Sequence, residues 1–155
     1  MVRTALALAG VLLVGACKDD APAVESSWTL QASAAAGAAL VHGGSGGPEL
    51  LRIACRRNPP DLLVVAGTLR PVAGETVLDL GSGAFSVSLT ADLSLDPQAG
   101  VQAAGPIPAA FLAALEAGGA LSVTYAGQTL KLAAPEPELA GQFVKACRQA
   151  TTQGG

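Results

Sequence analysis

Three cysteines and a single histidine are the side chains of this sequence best suited to chemistry. A thiol can attack a carbonyl, hold a metal, carry a lipid or pair with a second thiol. Nucleophilic work needs a base within reach, and spacing identifies no Ser or Cys nucleophile for His42. That residue stands beside a glycine-rich loop and is expected as an exposed strand end. Zinc takes four ligands, and Cys55, Cys147 and His42 fall short once Cys17 is set aside at the start of the chain. Asp92 and Asp96 flank a loop, but isolated loop aspartates form turns far more often than they bind cations. Gly81-Ser82-Gly83 lacks the five-residue pattern of a nucleophile elbow and lies between two strands. The loop Gly43 to Pro48 has no following helix and no Lys in register to cradle phosphate. No catalytic residue, cofactor or metal ligand is assigned, and an enzyme is disfavoured.

The elements that must position the two later cysteines are legible from periodicity. In Glu49-Leu50-Leu51-Arg52-Ile53-Ala54-Cys55-Arg56, period two sets Leu51, Ile53 and Cys55 on one face and Arg52 and Arg56 on the other. In Glu138 to Arg148, period 3.6 lines up Leu139, Phe143 and Cys147 as one apolar stripe of a helix. Each sulfur therefore points into the core, and a strand-to-helix disulfide Cys55–Cys147 is expected. Two buried free thiols are the alternative.

Between these points the chain alternates strands and turns. Strands are expected at Trp28 to Ala32, Ala38 to His42, Leu62 to Leu69, Thr76 to Leu80, Ala84 to Leu89 and Val101 to Ala104. A helix begins at Pro106-Ile107-Pro108 and stops at Gly118-Gly119. A hairpin, Ala120 to Tyr125 and Gln128 to Ala133, precedes the Cys147 helix. The fold class is α+β: an antiparallel curved sheet or partly open barrel with two helices, one stapled to a strand by the disulfide.

The start of the chain sets the compartment. Met1-Val2-Arg3 is basic, Thr4 to Val14 is almost wholly apolar, and small residues follow. The apolar run falls well short of the roughly 20 residues that span a bilayer. Val14-Gly15-Ala16-Cys17 resembles the lipobox of bacterial lipoproteins. The resemblance implies a signal peptide at 1–16, a lipidated Cys17 as mature N-terminus, and membrane association through acyl chains. Lys18, where enterobacterial inner-membrane lipoproteins carry Asp, favours the outer membrane, with the domain facing the periplasm. Residues 17–27 form a tether, 28–150 one domain and 151–155 a disordered tail. An oxidising envelope with one cysteine lipidated leaves an even pair for the disulfide.

Composition narrows the partners. Half of the residues are hydrophobic but only 3% are aromatic, so Ala, Leu and Val must fill the core. Loss of Arg3 with the signal leaves eight basic and twelve acidic residues, a formal charge of −4. Few aromatics and the single adjacent basic pair Arg56-Arg57 exclude a nucleic-acid surface. Arg52, Arg56 and Arg57 cluster on an otherwise acidic chain, on the outward side of the Cys55 strand. They are the candidate partner-binding patch, against the alternative that they only solvate a sheet face. Reversing Arg52 and Arg56 is expected to abolish partner capture without altering the melting temperature if the patch binds.

Pro106-Ile107-Pro108-Ala109-Ala110-Phe111-Leu112-Ala113-Ala114-Leu115, the strand Gly119 to Tyr125, the terminal helix Leu139 to Cys147 and the motif Leu51 to Cys55 together resemble invasion-associated-locus-B and VasI-type periplasmic proteins. That resemblance implies an envelope accessory protein without catalytic residues, meeting an envelope protein partner. Ser82-Gly83-Ala84-Phe85 resembles the Ser-Gly loop of lipoprotein lysozyme inhibitors, which implies the alternative of a cell-wall hydrolase inhibitor. The helix after Pro108 departs from that fold.

Overall fold

The computed structural model describes residues 26–153 apart from 34–35, 45–46 and 95. The signal segment, Cys17 and the tether as far as residue 25 lie outside the described residues. Strand β1 (Ser26–Ser33) starts two residues earlier than periodicity suggested. It is followed by β2 (Gly37–Gly44), β3 (Glu49–Arg57) and β4 (Pro60–Ala66), each antiparallel to its predecessor. The turn from β3 to β4 is only Asn58-Pro59, which aligns Arg57 with Pro60 and Arg56 with Asp61.

The second half contains β5 (Val77–Ser82), β6 (Phe85–Asp92), β7 (Val101–Gly105), α1 (Ala109–Glu116), β8 (Leu121–Tyr125), β9 (Gln128–Leu132) and α2 (Pro137–Gln153). Strand β7 enters between β4 and β6, so the two hairpin groups fuse into one nine-stranded antiparallel sheet of order β1-β2-β3-β4-β7-β6-β5-β8-β9. The sheet is open and curved. Helix α2 continues to Gln153, three residues into the stretch expected as a disordered tail.

Alternation decides which face is buried. In β3 and β4, Leu51, Ile53, Cys55, Leu62 and Val64 are fully enclosed while their neighbours are not. Helix α2 lies across β2 and β3, and α1 packs against β5, β6 and α2. Phe111 and Leu115 from α1 and Phe143, Val144 and Cys147 from α2 complete the core. Helix α1 ends where Gly118 takes φ +82°, letting the Gly118 N–H reach the Leu115 carbonyl at 3.0 Å. Among the described residues no helix is long and apolar enough to cross a membrane.

The disulfide is present. Cys55 and Cys147 have Cα atoms 5.3 Å apart, and both residues are fully buried. It joins the third strand to the last helix across 92 positions of sequence.

Candidate functional site

The outward face of β1 to β3 carries a shallow depression of about 320 Å³. Its floor is small and apolar, with Ala39, Ala54 and Leu63, and its rim carries Gln31, Arg52 and Arg56. The register explains the grouping. Gln31 faces Ala39, Ala39 faces Ala54, and Ala54 faces Leu63 across four adjacent strands. One short row of side chains therefore runs between two arginines that stand on neighbouring rows.

Neither arginine is a lone charge. The Arg52 Nε donates to Glu49 Oε2 at 2.9 Å, and its Nη1 donates to Gln31 Oε1 at 3.0 Å. The Arg56 Nε donates to Asp61 Oδ1 at 2.6 Å, and its Nη2 meets the second carboxylate oxygen, a side-on bidentate pair. These hydrogen bonds hold both guanidinium groups above their already high ordinary pKa, with Coulomb attraction adding to them. Both arginines therefore stay charged, and both are geometrically fixed.

Arg57 does not share this site. It has the parity of Cys55, and its Nε is enclosed, so it stands on the helix-facing side of β3. The three-arginine patch is thus corrected to two arginines with acidic partners. The correction reaches the expected effect of charge reversal: Glu at position 56 would face Asp61, whose side chain is only 17% exposed, and stability would fall.

His42 is also corrected. It is 6% exposed, packed edge-on against Trp28 with ring centroids 4.7 Å apart. Its Nδ1 has no hydrogen-bond partner among the described residues, and burial lowers its pKa. A glycine loop beside a strand end does not expose the residue before it when the neighbouring strand sets Trp28 opposite. Asp92 and Asp96 are spent on turns: Asp92 accepts from the Ser94 N–H at 2.9 Å and hydroxyl at 2.6 Å, and Asp96 accepts from the Gln98 N–H at 2.9 Å. The Ser94 bonds hold Asp92 below its ordinary carboxylate value. Ser82 is fully enclosed and donates to the Gly119 carbonyl at 3.4 Å, so its hydroxyl is not offered to a partner.

Three partners of the arginines, Glu49, Asp61 and Gln31, were not singled out in the sequence. Asp61 was recoverable, because a two-residue turn at Asn58-Pro59 sets it directly opposite Arg56. Gln31 was not, because its bond to Arg52 spans from the first strand to the third.

The chain matches no family model and no curated protein. It superposes on the crystal structure of invasion associated protein B from Bartonella henselae with a TM-score of 0.50 and 11% identity. The alignment covers 80% of this chain and 95% of that one. The likeness is one of fold. It bears out, at that level, the resemblance carried by the order of helix, hairpin and final helix.

Proposed function

We propose that this chain is an envelope-anchored, non-catalytic accessory protein that binds a protein partner on the outward face of β1 to β3. The observation that carries this reading is the depression between Arg52 and Arg56: an apolar floor flanked by two guanidinium groups, each held by a carboxylate. Fixed arginines beside small apolar side chains are suited to interfaces, because they lose little freedom on binding. The lipobox-like Val14 to Cys17 supports anchoring, and the fold is shared with a protein named for its association with invasion.

The test uses an exchanged pair. Arg56→Asp with Asp61→Arg keeps the bidentate bond but moves the cation to the neighbouring strand. In cross-linking of intact cells, the partners captured by wild type should be lost from this variant, while its melting temperature stays within a few degrees. Equal capture of the same partners would show that this face does not bind them. Anchoring is read separately by mass spectrometry of the mature chain, where an unmodified Cys17 would contradict it.

A further inference from the structure

We propose that β1 is a self-association edge, through which two copies of this chain join into one continuous sheet about a two-fold axis. The open sheet has two edges, β1 and β9. They approach where the Trp28 Nε1 donates to the carbonyl of Ala133, one residue past β9, at 3.0 Å, and no ladder joins them among the described residues. Beyond Trp28, residues 30–33 of β1 run on past this contact, and Ala32 is exposed although its parity is that of the buried Trp28.

The two edges differ in how they are guarded. Soluble proteins blunt sheet edges with short strands, lysines, prolines or bulges. Strand β9 has five residues, carries Lys131, and is followed by Pro135 and Pro137. Strand β1 has eight residues, Ser26-Ser27-Trp28-Thr29-Leu30-Gln31-Ala32-Ser33, with no charge and no proline. An edge strand leaves alternate backbone N–H and C=O groups without a ladder partner, and past the Trp28 contact residues 30–33 carry no charge or proline to repel an incoming strand.

The chemistry of β1 favours a second copy of itself. Its outward side chains, Ser27, Thr29, Gln31 and Ser33, are neutral hydrogen-bonding groups, so antiparallel pairing of β1 with β1 opposes no like charges. With the two-fold axis at Leu30, Thr29 lies opposite Gln31 of the other copy and diagonal to the other Thr29 on the outward face. The nearest charged group on that face, Arg52, is already paired with Glu49. Such an isologous contact closes at two copies, whereas β1 on β9 would repeat without end.

Sedimentation equilibrium of the full chain in density-matched detergent tests this. The mass should rise toward two copies with concentration and stop there. Thr29→Lys and Thr29→Glu should each weaken association about fivefold, the effect of like charges brought close across a strand pair. An equimolar mixture of the two should recover wild-type association or exceed it. That recovery excludes misfolding of the variants as the cause. A wild-type mass of one copy up to about 1 mM would overturn the proposal. So would growth beyond two copies, unchanged association in both Thr29 variants, or a mixture no stronger than either alone.

Discussion

His42 is enclosed beside Trp28 and carries a ring nitrogen without a hydrogen-bond partner among the described residues. Desolvation lowers its folded-state pKa from the ordinary value of 6.5. The unfolded chain therefore takes up a proton near pH 6.5 that the folded ring refuses. The contribution of His42 to stability is complete above that pH and declines as pH falls toward the folded-state value. The denaturation midpoint should drop between pH 7 and 5 in wild type, and His42→Phe should flatten part of that drop. An equal slope in both proteins would place the dependence elsewhere. Residue-level reading was least successful here, since whether a strand-end side chain turns inward depends on the strand beside it. Trp28 directly opposite His42 in the β1–β2 register is what encloses it.

At the scale of elements, the disulfide decides how α2 is held. Closing a loop of about 90 residues stabilises by about 4–5 kcal/mol in the chain-entropy picture. Cys147→Ser should lower the unfolding free energy by about 2–5 kcal/mol, read from urea midpoints, and expose α2 to protease. A midpoint unchanged from wild type would show that packing of Phe143 and Val144 suffices alone. Gly37 belongs to the same junction. It has φ +100°, and a Cβ there would lie 2.0 Å from the Cys55 carbonyl oxygen. Gly37→Ala should cost at least about 1–3 kcal/mol, through left-handed strain and displacement of β3 at the bond. Retained stability would mean that β2 can shift without disturbing Cys55. The strands and both helices were legible because period two and period 3.6 are local signals. The two partners of the disulfide followed from the same patterns, since each sulfur fell on the apolar side of its element.

At the scale of the whole molecule, the insertion of β7 between β4 and β6 was not legible. It depends on the path of the loop through Asp96 and Pro97–Ala99, and no periodicity encodes which edge a strand will join. The tie between the sheet's two ends was equally hidden, because 105 positions separate Trp28 from Ala133. Trp28→Phe keeps the ring buried but removes the donor, at a cost of about 1 kcal/mol or more. Amide hydrogen exchange should then quicken in β1 and β9 while β3 and β4 keep their protection. Uniform protection across the sheet would show that the indole bond does not hold the ends together.

The chain contains one tryptophan, and it sits where those ends meet. A protonated imidazole in contact with an indole quenches its emission, and His42 lies at contact distance. Intrinsic fluorescence therefore reports from this seam without any label. Uptake of a proton at His42 would dim the signal, and parting of the ends would wet the indole and shift its emission to the red. The two events can thus be told apart in one titration, by intensity and by colour.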